Sequence, residues 1–87
     1  MVIENITIKN KQGLHMRPAK VLAKEIAKFP CDVKLVVGEK EINAKSVMNI
    51  VTANIKCGML VEVKCSGQKE DEALETVKEL AAAGFGE

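Results

Sequence analysis

The sequence predicts an α+β fold, a two-layer sandwich in which four strands form one sheet covered on one face by three helices, in the order βαββαβα. Three observations carry this reading. Four short stretches alternate apolar and polar residues, three others repeat apolar residues at helical spacing, and turn residues stand at the junctions. The 87 residues are expected to form a single domain, residues 1–87, because so short a chain has room for only one core.

Val2 to Lys9 reads as the first strand. Val2, Ile6 and Ile8 share one face, with Glu4 the exception, and Asn5, Thr7 and Lys9 share the other. Asn10-Lys11-Gln12-Gly13 is a polar turn. A helix follows from about Met16 to Lys28, with Pro18 in its first turn, where a missing N–H is harmless. Ala19, Leu22, Ala23 and Ile26 form its buried stripe, and Lys20, Lys24 and Lys28 line another, solvated face. Phe29-Pro30 ends it, since the residue before a proline avoids helical geometry.

Val33, Leu35 and Val37 alternate into a second strand, and Gly38-Glu39 turns the chain into a short returning strand from Lys40 to Ile42. Ser46 then stands where an N-cap belongs, before the apolar run Val47, Met48, Ile50 and Val51. Asn49 cannot supply the carboxylate of a capping box. This short helix is expected to end near Ile55 or Lys56, with Gly58 at its exit. Met59, Val61, Val63 and Cys65 form the buried face of the last strand, opposite Leu60, Glu62, Lys64 and Ser66. After Gly67, the acidic residues Glu70, Asp71 and Glu72 open a final helix, where negative charge suits the dipole. Leu74, Val77 and Ala81 are its stripe, Leu80 lies beside it, and Gly84 and Gly86 end it.

Composition narrows the function classes. The net charge is +1 and the only aromatic residues are Phe29 and Phe85, so neither a basic footprint nor stacking platforms for nucleic acid exist. No stretch approaches the length of a membrane span, and no basic start followed by an apolar run suggests a signal peptide. Cys31, Cys57 and Cys65 are odd in number and contain no CxxC pair, and one histidine is too few for a usual zinc site. They are expected to be buried or half-buried free thiols, which places the protein in the cytoplasm, with no metal and no cofactor.

The most informative segment is Gly13-Leu14-His15-Met16-Arg17-Pro18-Ala19, which holds the only histidine of the chain. An imidazole is a competent nucleophile near neutral pH. A guanidinium pairs with phosphate oxygens through two donors, and the free N–H groups of a helix start favour an anion. Together they describe an anion or phosphoryl site at His15 and Arg17. On spacing alone, a lone histidine near a helix cap is more often a capping or packing residue, and both readings remain open at this point.

Gly-Leu-His-x-Arg-Pro-Ala near the N-terminus also resembles the phosphorylation site of the HPr family, the histidine-containing phosphocarriers of the bacterial sugar phosphotransferase system. Asn43-Ala44-Lys45-Ser46-Val47-Met48 is similar to that family's regulatory serine segment, and the order and separation of the two motifs agree as well. The resemblance covers essentially the whole chain. It implies an open-faced two-layer β-sandwich with a four-stranded antiparallel sheet. It also implies a carrier, not a stand-alone catalyst, in which His15 takes a phosphoryl group from enzyme I and gives it to sugar-specific IIA domains. Arg17 would stabilise the phosphate, and any Mg²⁺ would belong to the donor's chemistry.

The same resemblance implies phosphorylation of Ser46 by an HPr kinase/phosphorylase, and through it contact with a carbon-catabolite transcription regulator. Read from the residues, Ser46 is also a simple N-cap. Val47, Met48 and Val51 cannot all face inward from a short helix, so with Met16, Lys20 and Lys24 they form a candidate partner-binding face. Met16 stands where the family commonly has alanine, and Asn49 and Asn54 where it commonly has glycine. Two other functions fit the motifs: a carrier of the nitrogen-related branch, and a regulatory module acting through Ser46 alone. The protein is expected to be a monomer that neither binds nucleic acid nor inserts in a membrane.

Overall fold

A computed structural model describes residues 1–86, so Glu87, the last residue of the expected domain, lies outside the described part. The elements are β1 (Val2–Thr7), α1 (Met16–Ile26), β2 (Asp32–Val37), β3 (Lys40–Asn43), α2 (Val47–Thr52), β4 (Leu60–Ser66) and α3 (Glu70–Ala82). A 3-10 turn at Gly84–Gly86 follows. This is the expected order, and the strands form one antiparallel sheet arranged β1-β4-β2-β3.

Register explains the alternation read from the sequence. Val2 faces Cys65, which faces Val33; Glu4 and Leu35 both face Val63; Ile6 faces Val61. Directly opposed residues share a face, so these rows form the inner side of the sheet. Val33, Leu35, Val61, Val63 and Cys65 are fully buried there. Glu4 fits an inner row only because β1 is an edge strand: it stays exposed and its carboxylate reaches Lys78 of α3 at 3.7 Å. Against this face pack Ala19, Leu22, Ala23 and Ile26 from α1, Ile50 from α2, and Ala73, Leu74, Val77 and Ala81 from α3.

Several boundaries differ from the sequence reading, each for a local reason. β1 stops at Thr7 because Ile8 bonds a loop instead of a strand, accepting from Gly58 N–H and donating to the Met59 carbonyl. α1 ends at Ile26, before Lys28, where the Phe29 amide closes back on the Ile26 carbonyl and Pro30 follows. α2 ends at Thr52, before Ile55, because Asn54 takes a left-handed conformation with φ 56°. Asparagine is the side chain that best tolerates that geometry in place of glycine. β4 begins at Leu60, one residue after Met59.

Two side chains differ in burial from what the sequence suggested, and the burial of a third, Phe85, was not read from it. Asn10 is buried, although it lies in the polar turn, and its Nδ2 donates to the Gly84 carbonyl at 2.8 Å. Cys57 is exposed, while Cys31 and Cys65 are buried. Phe85 is fully buried, so the glycines around it permit a turn that returns the chain to the core after α3. Among the described residues no helix is long and apolar enough to cross a membrane.

Candidate functional site

His15 is the N-cap of α1. Its backbone is extended, with φ −77° and ψ −170°, and its carbonyl accepts the first helical bond from Ala19 at 3.0 Å. Pro18 has no N–H, so the amides that the helix start leaves for another acceptor are those of Met16 and Arg17. The imidazole does not cap the helix. These two amides and the positive end of the helix dipole are therefore directed at the space beside His15, an arrangement suited to an anion.

The segment before His15 is held on both sides. Gly13 adopts a left-handed φ of 70°, and its amide bonds the Asn10 carbonyl at 2.9 Å. Leu14 is buried and donates its amide to the Ile55 carbonyl at 3.0 Å. With Leu14 anchored, the next side chain, His15, is turned toward the surface and is half-buried. Met16 and Arg17 follow it, both exposed. Among the described residues, none of the ion pairs involves Arg17.

His15 also borders a cleft of about 610 Å³. Lys9, Asn10, Lys11 and Gln12 line it on one side in sequence, and Ala82, Ala83 and Gly84 line it as well. The sequence reading missed these lining residues. Their signal was present: the period of two in β1 runs on past the strand, burying Ile8 and Asn10 and exposing Lys9 and Lys11.

Ser46 is the N-cap of α2, as its position suggested. Its Oγ accepts from the Asn49 amide at 3.3 Å and its carbonyl from the Ile50 amide at 3.1 Å. The site is fixed to the far end of α1, because Lys45 Nζ donates to the Phe29 carbonyl at 2.6 Å. At the other end, the Leu14–Ile55 bond joins the start of α1 to the loop after α2. His15 and Ser46 therefore sit at opposite ends of the α1–α2 pair, separated by roughly the 16 Å length of an eleven-residue helix.

Between these ends lie the candidate partner-binding residues. Lys20 and Lys24 are exposed on α1, while Val47 and Val51 are half-buried on α2. Met48 is 61% exposed and Met16 is 42% exposed, so each end of this pair of helices presents a flexible apolar side chain. Among the described residues no three His, Cys, Asp or Glu side chains cluster as a metal site would require.

Elsewhere, Glu70 ties the N-terminus to α3. One of its carboxylate oxygens accepts from the Gly67 amide at 3.0 Å and the other lies 3.1 Å from the Met1 ammonium. The Gly67 bond and then the ammonium hold this carboxyl below its ordinary value. Burial, helped by the neighbouring Cys31 and Glu70, pushes the Cys65 thiol up to about 11.

Comparison with known proteins places these features in context. Residues 2–83 match the family model described as the PTS HPr component phosphorylation site. The phosphocarrier protein HPr of Mycoplasma capricolum is 40% identical over 72 residues, covering 83% of this chain and 81% of the relative. The HPr-like protein Crh of Bacillus subtilis is 36% identical over 75 residues, covering 86% of this chain and 88% of that protein. Among solved structures, HPr from Thermoanaerobacter tengcongensis superposes with a TM-score of 0.95 at 36% identity, covering 100% of this chain and 98% of the other.

Proposed function

Because the chain belongs to the HPr family of phosphocarriers of the phosphotransferase system, we propose that His15 accepts a phosphoryl group from phosphorylated enzyme I and passes it to sugar-specific IIA domains. The observation that carries this reading is the placement of His15 as an extended N-cap, with the Met16 and Arg17 amides and the Arg17 guanidinium on the same helix start.

In the forward step the lone pair of a His15 ring nitrogen attacks phosphorus while the bond from phosphorus to the donor breaks, its electron pair leaving with the donor, and the phosphoryl group moves to the imidazole. The reverse displacement at the same nitrogen hands the group to the acceptor. The helix amides and Arg17 face the oxygens that gather negative charge, which they can do without rearranging. A half-buried imidazole suits this traffic, since donor and acceptor must each reach it in turn.

Partners of both kinds would dock on Met16, Lys20, Lys24, Val47, Met48 and Val51, where apolar contacts lie among cations. A phosphate on Ser46 would meet the α2 start at the opposite end of this face. It would act by adding negative charge to a shared docking surface, not by touching His15. Whether sugar or nitrogen enzyme I is the physiological donor is decided by comparing transfer from each purified enzyme I, followed by discharge to a IIA domain. Faster charging by the sugar-branch enzyme with discharge to IIA supports the reading; charging by the nitrogen-branch enzyme alone contradicts it.

A further inference from the structure

The four methionines of the chain divide into two kinds. Met1, Met16 and Met48 are exposed. Met16 is the first residue of α1 and follows His15 directly, and Met48 stands in the first turn of α2, so both lie on the face proposed above for partners. Met1 lies beyond the other end of β1, about 20 Å along the strand from the loop that leads to His15, with its ammonium paired to Glu70. Met59 differs from all three. It is partly buried against the core, and its Sδ accepts a hydrogen bond from the Lys56 amide at 3.1 Å. Thioether sulfur is therefore open to solvent at Met16 and Met48 and engaged at Met59.

We propose that Met16 and Met48 are sites of reversible oxidation by a peroxide, reacting ahead of Met59, and that their sulfoxides weaken docking of the phosphoryl donor. The docking half rests on the reading of His15 and its partner face given above. In the step, a sulfur lone pair attacks one peroxide oxygen, so that an S–O bond forms and the O–O bond breaks. Hydroxide leaves with the O–O electron pair and takes the proton from the new sulfur-bound hydroxyl, giving sulfoxide and water. Sulfur loses two electrons and the peroxide gains them, and a thiol-dependent sulfoxide reductase restores the thioether. The product replaces a flexible apolar side chain with a polar one. In the free protein both side chains already face water, so the fold is untouched. Within a complex the sulfoxide is buried among apolar contacts, where a polar group without a partner is costly. Met59 is the methionine whose oxidation would disturb the Ile55–Lys56 backbone that fastens Leu14, and it is the one the fold shields.

The test treats the full chain with hydrogen peroxide and then with dithiothreitol, which returns the exposed Cys57 to its thiol and leaves sulfoxides in place. Peptide mass spectrometry should find sulfoxide at Met16 and Met48 well before Met59, with an unchanged melting temperature while Met59 is intact. In charging by phosphoenolpyruvate and enzyme I, the KM for the oxidised chain should rise about fivefold or more with kcat nearly constant, and calorimetry should show a matching loss of enzyme I affinity. Sulfoxide reductase should reverse both. In Met16→Leu/Met48→Leu, peroxide should leave that variant's own KM unchanged although Met1 is still oxidised. Sulfoxide at Met59 as early as at Met16 and Met48, an unchanged KM with both oxidised, or an equal rise in the double variant would each overturn the proposal. A chain that enzyme I does not charge even before treatment fails the reading of His15 instead. Calorimetry then decides the docking half, and equal enzyme I binding before and after oxidation, or none at all, overturns it.

Discussion

The Leu14 amide bonds the Ile55 carbonyl at 3.0 Å, and through it the loop that presents His15 is fastened to the loop that leaves α2. The fit is so close that a Cβ on the neighbouring Gly13 would overlap the Ile55 carbonyl oxygen and stand 2.9 Å from the Lys56 Cα. Gly13 is thus required both by its left-handed φ and by the backbone facing it.

Gly13→Ala should therefore be strongly destabilising. The left-handed conformation alone costs an alanine about 1–2 kcal/mol, and the overlap adds to it. Urea denaturation should show a lower midpoint at an unchanged slope. A variant as stable as the wild type would mean that the two loops are not pressed together in solution.

Ser46 separates capping from signalling. Ser46→Ala loses the acceptor for the Asn49 amide and should cost about 1 kcal/mol. Ser46→Asp keeps an acceptor there and should leave thermal stability nearly unchanged while slowing phosphorylation of His15 by enzyme I. Equal transfer rates for Ser46→Asp and wild type, or a drop in melting temperature shared by both variants, would leave Ser46 as a cap alone.

How much of this was legible in the sequence depends on the range of the interaction involved. Alternation in Val33, Leu35 and Val37, or in Val61, Val63 and Cys65, reports burial directly, so the sheet and its inner face could be read. Ser46 could be read as a cap because capping is decided within four residues. The end of α1 could be read from Phe29-Pro30 to within two residues, but that of α2 could not, since it depends on the left-handed Asn54, of which apolar spacing carries no record. The long-range features were the least visible: the period of two points Asn10 inward, but nothing local announces that its side chain will bond the Gly84 carbonyl. Phe85 could not be foreseen as a fully buried residue because glycines on both sides look like a loose end.

The three thiols should differ sharply in reactivity. Cys57 is exposed, whereas Cys31 and Cys65 are buried and the Cys65 thiol is raised to about 11. At pH 8 a disulfide reagent should therefore modify Cys57 fast in the native protein and the other two only after unfolding. Rapid modification of Cys65 under native conditions would show that the inner face of the sheet opens readily.

The Glu70 clamp makes a prediction about acid. Its carboxyl is held below the ordinary 4.5 in the folded protein, so its contribution is complete above that value. It is lost as pH falls through the lowered folded-state value, where both states become protonated. Glu70→Gln should melt below wild type at pH 7, and the gap should shrink as the pH is lowered toward 3. A gap that stays constant across this range would show that the carboxylate's charge plays no part.

The most direct measurement concerns His15. Incubation with phosphoenolpyruvate and enzyme I should put one acid-labile phosphoryl group on this chain, absent from His15→Ala. Arg17→Ala should still fold but charge about tenfold or more slowly, as expected for loss of a charge-assisted contact of about 1.5–3 kcal/mol in the transition state. Undiminished labelling of His15→Ala would contradict the account at its centre, because the chain has no other histidine to carry the group.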